Sequence, residues 1–99
     1  MQPVVYKDSD FVVYLEMSPI GPVIHTDVNR WSKDVFKRQF KVLQRIKECL
    51  YGEGYGILYA PALNEQLINY ASMFGFELSN KQAWFADGNL YQLMELETH

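Results

Sequence analysis

Cysteine and histidine are scarce in this sequence, which has one cysteine, Cys49, and two histidines among its 99 residues. A single cysteine cannot close a disulfide within the chain, and so few ligands give no spacing typical of a metal site. Cys49 lies in a helical pattern with no histidine or acid at a suggestive spacing, so we expect a half-buried packing residue rather than a nucleophile. We predict no metal and no internal disulfide, as suits a reducing cytoplasm.

Positive charge and long apolar runs are scarce as well. Nine Lys and Arg stand against twelve Asp and Glu, for a formal net charge of −3. This balance argues against a nucleic-acid surface, because phosphates select basic patches. No apolar run approaches the ~20 residues of a membrane span, and the N-terminus has no charged-then-apolar signal segment. We expect a cytoplasmic protein that binds neither nucleic acid nor membrane.

Apolar and aromatic side chains, by contrast, are plentiful. The chain is 48% hydrophobic and 15% aromatic. Such a composition supplies a core and argues against disorder. Since a chain of this length builds one core, we predict a single domain over residues 1–99.

Three strands are predicted in the first third of the chain, at Val4–Lys7, Phe11–Ser18 and Pro22–Asn29. The two longer runs are rich in Val, Ile and Tyr, and the segment SPIGP between them has the Pro and Gly typical of a turn. Because strand side chains alternate, His25 and Asp27 share the more polar face of the third strand. Such a histidine can act as a base near neutral pH, or it can be a half-exposed strand residue without a chemical role.

A helical pattern begins near Ser32, where apolar residues start to recur at intervals of four, three, three and four. Ser32 or Asn29 can cap this helix, and Gly52 or Gly54 can end it. Its outer face is basic, which indicates either a solvated surface or a surface for an acidic partner. The residues predicted to face the sheet are Phe36, Phe40, Leu43, Ile46 and Leu50.

The second half of the chain predicts another helix between short strands. The strand Tyr55–Ala60 precedes this helix, and Phe76–Leu78 follows it. A hairpin comes last, with strands Lys81–Ala86 and Leu90–Glu97, because Asp-Gly in the segment 87–89 favours a tight turn. The helix is predicted to bury Leu67, Ile68, Ala71 and Phe74.

The predicted order is therefore β-β-β-α-β-α-β-β-β. A strand, a long helix and a second strand form a βαβ unit, whose strands should be parallel. We predict an α+β fold in an α/β three-layer arrangement, on a mixed, mostly antiparallel sheet with a central parallel βαβ pair.

The spacing of Asn64, Gly75 and Phe76 resembles the last helix of the GNAT superfamily, the acyl-CoA-dependent N-acyltransferases. That helix begins with Asn after an apolar strand and ends in Gly-Phe eleven and twelve residues later, as here. The segment GPVIHTDVNRW is similar to small GNAT-like proteins of tailed bacteriophages, where a His-x-x-Val strand precedes the cofactor loop. His25 and Val28 occupy those places. The resemblance covers residues 11–97 and implies the C-terminal half of a GNAT fold in a phage protein of the bacterial host cytoplasm.

The resemblance also implies acetyl-CoA as the cofactor. It would lie between splayed parallel strands, with its pyrophosphate at the start of the first helix. Tyr70 is the candidate general acid, and His25 is the other candidate catalytic residue. Tyr70 can equally be a packing or an interface residue. The implied cofactor-binding residues are Thr26, Val28, Arg30, Trp31, Ser32, Lys33 and Asn64.

Three features differ from the usual family pattern. The loop at residues 29–34 reads NRWSKD and has no glycine. Ala71 occupies the position where many members have a Tyr that acts as the general acid. Tyr70 comes one residue earlier, about 100° around the helix. Family members also carry a strand and two helices ahead of this half, so we expect that portion to be absent or to be supplied by a second copy.

Two functions remain open from the sequence. The first is a degenerate GNAT-like phage protein that binds and modulates a bacterial host protein. The alternative is a minimal acyl-CoA-dependent N-acetyltransferase that acts on a host protein or a small amine. A homodimer through the sheet edge near residues 4–14 is also expected. The candidate interface residues are the aromatics Trp31, Tyr51, Tyr55, Trp84 and Tyr91.

Overall fold

The computed structural model describes residues 4–99, which form six strands and two helices in the order β-β-β-α-β-α-β-β. The first three strands are consecutive, and the two helices flank the fourth. The elements are β1 (Val4–Lys7), β2 (Phe11–Ser18), β3 (Gly21–Val28), α1 (Lys33–Gly52), β4 (Ile57–Pro61), α2 (Glu65–Ser72), β5 (Glu77–Trp84) and β6 (Leu90–Glu97).

The strands form one sheet in the order β1-β2-β3-β4-β6-β5. Within the described chain β3 and β4 are parallel, joined by the α1 crossover, and the other neighbouring pairs are antiparallel. The predicted mixed sheet with a central βαβ pair is therefore confirmed. This topology leaves β1 and β5 as the two edge strands.

Both helices begin at the predicted caps. The Ser32 hydroxyl accepts a hydrogen bond from the Val35 N–H at 3.1 Å, and the Asn64 side chain accepts one from the Leu67 N–H at 2.9 Å. Each cap satisfies one of the backbone donors that a helix start leaves unpaired. Gly75 follows α2 with φ of +101°, a conformation that suits glycine and stops the helix.

The main core lies between the helices and one face of the sheet. Phe11, Leu58 and Met94 of the strands are buried there with residues of α1, and the half-buried Ile68 and Phe74 pack against the same cluster. The opposite face carries a smaller cluster of strand residues and Phe85, without a helix residue: Val23, Tyr59, Ala83 and Leu93, with Ile57 and Phe85 partly buried. Residues 4–99 thus form two layers rather than three, because both helices cover the same face.

The buried stripe of α1 is rotated from the predicted one. Phe36 is only half-buried and Phe40 is exposed, whereas Leu43, Ile46 and Leu50 are buried as predicted. The rings of Phe36 and Phe40 pack beside Phe74, between the helices rather than against the sheet. The residues that α1 buries are Val35, Gln39, Leu43, Ile46 and Leu50.

The final hairpin also differs from the prediction. Phe76–Leu78 and Lys81–Ala86 were expected as separate strands, but β5 runs continuously over Glu77–Trp84 with a register shift between Leu78 and Gln82. The buried Ser79 bridges this irregularity, since its hydroxyl donates to the Leu93 carbonyl at 2.7 Å. A bulge takes up the extra residues without ending the strand.

Three further observations bear on function. Cys49 is exposed, not half-buried, because it lies outside the α1 stripe. Among residues 4–99 no helix is both long enough and apolar enough to cross a bilayer. The same part of the chain holds no group of three or more His, Cys, Asp or Glu placed to bind a metal ion.

Candidate functional site

A cleft opens where the two parallel strands diverge. β3 and β4 share a single register pair, Val23 with Tyr59, whereas β2 and β3 stay paired along their length. Beyond that pair β3 and β4 are not paired with each other. Their facing backbone N–H and C=O groups are therefore available to hydrogen-bond an extended ligand. The splay expected from the sequence is therefore present between these strands.

The cleft encloses about 430 Å³ between the splayed strands and the two helices. This volume is in the range of small-molecule sites. Core residues such as Leu43 and Phe76 form its floor, and the cleft-facing side of β3 provides Thr26 and Val28. The lining is mostly apolar, and the side chains in it that carry polar atoms are His25, Thr26, Asp27, Trp31, Gln39 and Tyr70.

Tyr70 lies in the cleft with its hydroxyl in a hydrogen bond to Gln39. The Tyr70 Oη is 2.7 Å from the Gln39 Oε1, and burial raises the pKa of Tyr70 to about 12. The ring of Trp31 meets the Tyr70 ring edge-on at a centroid distance of 4.4 Å. The phenol is thus neutral at physiological pH and can donate a proton or a hydrogen bond.

Two backbone N–H groups of the loop before α1 are hydrogen-bonded within the protein. The N–H groups of Asn29 and Arg30 donate to the Asp10 carbonyl, at 2.7 and 3.4 Å. The Ser32 hydroxyl is occupied by the helix cap. A phosphate at this loop would lack these two N–H donors, and the Val35 and Phe36 N–H groups at the helix start already donate to Ser32.

Acidic side chains surround the same loop. Arg38 of α1 forms ion pairs with the carboxylates of Asp8, Asp10 and Asp34, and the exposed Arg30 approaches Asp10 at 3.9 Å. Hydrogen bonding to Asp10 is the main cause of a raised pKa for Arg38. Three carboxylates near two guanidinium groups do not form a cationic cradle, so this end of the cleft is a poor pyrophosphate site.

The two candidate catalytic residues do not meet. His25 borders the cleft, but its imidazole contacts Glu16 at 3.0 Å and lies edge-on to the Phe85 ring, on the face away from Tyr70. Asp27 lies near Tyr14 instead, where burial and then hydrogen bonding to Asp27 raise the pKa of that tyrosine. The His25 side chain therefore makes a cross-strand contact with Glu16 of β2 in place of the expected pairing with Asp27.

The implied cofactor residues are likewise divided by the structure. Thr26, Val28 and Trp31 line the cleft. Arg30 is exposed near Asp10, and Lys33 begins α1. Ser32 and Asn64 already cap helices. Their roles toward a cofactor remain predictions.

The candidate interface aromatics lie in separate places. Trp31 is at the cleft, Tyr51 lies in the last turn of α1 near His99, and Tyr55 follows four residues later. Trp84 pairs with Leu90 across the hairpin, and the Tyr91 ring stacks on Phe85. The five residues therefore do not form one patch.

Comparison of the sequence with known proteins gives no match, either to a family model or to a curated protein. Among solved structures, the fold is similar to the crystal structure of the ribosomal-protein-S18-alanine N-acetyltransferase from Escherichia coli, with a TM-score of 0.57 and 14% identity. The match covers 94% of this chain and 65% of that one, so the chain spans less than two thirds of that structure. This likeness establishes the fold alone, and the predicted GNAT-like α+β fold is confirmed.

Proposed function

Since residues 4–99 have a GNAT-like fold, we propose that this chain binds an acyl-CoA thioester in the β3–β4 cleft and transfers the acyl group to an amine. The single observation that carries the proposal is the divergence of β3 from β4 after the Val23–Tyr59 pair, above a cavity of about 430 Å³. Free strand edges can pair with the amides of a pantetheine arm, and the apolar floor suits an acyl chain.

The chemistry assigned to the cleft is acyl transfer. The amine lone pair attacks the thioester carbonyl carbon, the nitrogen releases a proton to solvent, the carbon–sulfur bond breaks, and the departing thiolate takes up a proton. Tyr70 lines the cleft with a phenol hydroxyl, which is protonated at physiological pH and can supply this proton. The acceptor is either a small amine or an amine on a host protein.

The pantetheine arm and the nucleotide of an acyl-CoA should contribute unequally to its binding affinity. The arm meets the cleft, while the pyrophosphate meets a loop whose Asn29 and Arg30 N–H groups are engaged with Asp10. We expect S-acetyl-pantetheine, which lacks the nucleotide, to bind within about tenfold of acetyl-CoA, since a tenfold change in Kd is only about 1.4 kcal/mol. If acetyl-CoA bound a thousandfold more tightly than S-acetyl-pantetheine, the conclusion that the loop is a poor pyrophosphate site would be contradicted.

Isothermal titration with acetyl-CoA tests the proposal. We expect binding that the Thr26→Phe variant weakens at least tenfold, because a ring at this exposed, cleft-lining strand position occupies ligand space. Met17→Phe is the matched control, since Met17 is an exposed strand residue outside the cleft lining. Absence of any heat or thermal shift with millimolar acetyl-CoA would reject acyl-CoA binding.

A second function is favoured by the hairpin end. Trp84 of edge strand β5 is 69% exposed and pairs with the exposed Leu90 of β6, and β5 also carries the exposed Leu78. Exposed tryptophans on unpaired edges are typical of interfaces. The alternative is therefore a GNAT-like phage protein that binds and modulates a bacterial host protein in the cytoplasm, or that forms a homodimer through a sheet edge.

This alternative has its own test. Wild-type protein and Trp84→Lys are compared in affinity capture from bacterial lysate and in sedimentation analysis. A single host protein retained by wild type and lost by Trp84→Lys supports host binding, and a dimer that dissociates on the same substitution supports self-association. Identical behaviour of the two proteins in both assays would reject the hairpin as an interface.

A further inference from the structure

One buried amide in the cleft wall has a hydrogen-bond donor without a partner. Gln39 of α1 is only 6% exposed, and its Oε1 accepts a hydrogen bond from the Tyr70 hydroxyl at 2.7 Å. Among the described residues its Nε2 is the buried side-chain nitrogen or oxygen that has no hydrogen-bond partner. Gln39 occupies a stripe position of α1 otherwise filled by apolar residues, so its polar group requires an explanation.

The orientation of this amide follows from its contact with Tyr70. The phenol is a donor at physiological pH, and of the two polar amide atoms only the oxygen can accept its proton. The opposite orientation would leave the Tyr70 O–H, the Gln39 Oε1 and one Gln39 N–H unpaired, whereas the observed one leaves only the Nε2 hydrogens unpaired. The Tyr70 contact therefore fixes Nε2 as a buried donor that still needs an acceptor.

The Tyr70 ring that fixes the amide is itself held in place. The rings of Trp31, Phe36 and Phe74 surround it at centroid distances of 4.4, 6.0 and 5.2 Å, each steeply inclined to it. Because these contacts restrict the ring, Tyr70 acts here as a positioning residue for the Gln39 amide. It can serve as the acid of acyl transfer only when its hydroxyl turns away from the Gln39 Oε1.

The surroundings of Gln39 in the cleft indicate which acceptor suits its nitrogen. Its neighbours in the lining on the two helices are apolar: Val42, Leu43, Ala71 and Phe74. The described residues that line the cleft include neither Lys nor Arg, so a ligand anion would find little compensation for its burial. A neutral NH₂ group in such surroundings is best satisfied by a neutral carbonyl oxygen.

We propose that the Gln39 Nε2 donates a hydrogen bond to a neutral carbonyl oxygen of a ligand in the cleft, and that Tyr70 holds the amide in the donating orientation. In an acyl-CoA this oxygen belongs either to the thioester or to an amide of the pantetheine arm. The identity of the ligand rests on the proposed function, whereas the donor role of Gln39 toward a carbonyl does not. Gln39 is thus the residue that contacts the ligand, and Tyr70 acts through it.

The Gln39→Glu variant isolates the donor. An ionised carboxylate still accepts the Tyr70 proton but has no N–H to offer. We expect it to weaken acetyl-CoA binding by about tenfold in isothermal titration, as one lost hydrogen bond does. Gln39→Met removes both polar atoms at similar volume and should give the same loss, in case the buried carboxylate prevents folding. Tyr70→Phe keeps the donor, so it should weaken binding less than Gln39→Met; a larger loss in Tyr70→Phe would contradict the assignment.

S-ethyl-CoA, a thioether without the thioester carbonyl, distinguishes the two sources of the acceptor. If Gln39→Met weakens the binding of acetyl-CoA but not of S-ethyl-CoA, the acceptor is the thioester carbonyl. If it weakens both equally, the acceptor is an amide carbonyl of the arm. Unchanged affinity of Gln39→Met for both ligands would overturn the proposal.

The side-chain NH₂ signals of Gln39 separate a failure of this inference from a failure of the proposed function. They are followed by ¹H–¹⁵N NMR and assigned by their loss in Gln39→Met. We expect them to shift on titration with N-butylacetamide, an apolar amide without a thioester or a nucleotide. A shift with this amide but no binding of acetyl-CoA would reject the proposed function alone. Unmoved signals with both acetyl-CoA and the amide would overturn the donor role of Gln39.

Discussion

Gly75 is the position where a single methyl group should most clearly weaken the fold. Its φ of +101° lies where L side chains are strained, and a Cβ there would be 3.2 Å from the Leu96 Cδ1. The backbone strain amounts to about 1–2 kcal/mol, and the Leu96 contact adds repulsion. Alanine also restricts the unfolded chain, which offsets about 0.4–1 kcal/mol. We therefore expect Gly75→Ala to destabilise the protein by about 1–2 kcal/mol.

Thermal unfolding followed by circular dichroism measures this effect. For a domain of this size the loss corresponds to a fall in Tm of roughly 5–15 °C. Gly56→Ala is the control, since Gly56 is not among the glycines with positive φ and a Cβ there meets nothing within 4 Å. If Gly75→Ala melted together with Gly56→Ala, the conformational role assigned to Gly75 would be refuted.

Three other predictions concern the scaffold. Burial opposes ionisation of Asp8, but hydrogen bonds and Arg38 outweigh it and lower the pKa of Asp8 to about 2, so its stabilisation should be lost as pH falls from about 4 to 2. Urea midpoints should therefore fall more steeply over that range in wild type than in Asp8→Asn. Ser79→Ala should cost about 1 kcal/mol because the Leu93 carbonyl loses its donor, whereas the exposed Asn80→Ala should be neutral in the same assay. Leu58→Ala should cost about 3–5 kcal/mol in urea unfolding, since Leu58 is fully buried; a loss below 1 kcal/mol would contradict the assigned core.

Elements set by local chemistry were predictable from the sequence. β2 and the last strand match their predicted bounds, and α1 begins after the cap Ser32. The predictions were wrong where tertiary packing determines which residues are buried or where a strand is irregular. Periodicity favours the large apolar Phe36 and Phe40, but these rings pack beside Phe74 at the helix–helix contact. The β5 irregularity depends on the Ser79–Leu93 contact between strands, which no local pattern records.

The candidate site was predictable in its walls but not in its polar contacts. Thr26, Val28 and Trp31 were expected at the cofactor and do line the cleft. Gln39 was missed, although a signal existed, because it stands four residues before Leu43 on the apolar stripe. The hydrogen bonds from the Asn29 and Arg30 N–H groups to the Asp10 carbonyl had no such signal, since they join segments about twenty residues apart along the chain.

The residues that carry the family resemblance are the ones that the fold itself requires. Asn64 caps α2, Gly75 stops it with a positive φ, and Phe76 is buried in the core. Each would be needed for stability whether or not a thioester ever entered the cleft. The functional information therefore lies elsewhere, in the Asp10 carbonyl that occupies the loop and in the Gln39–Tyr70 hydrogen bond. An intact Asn64–Gly75–Phe76 frame is compatible with both proposed functions, whereas acetyl-CoA binding that Thr26→Phe weakens separates an acyl site from a retained scaffold.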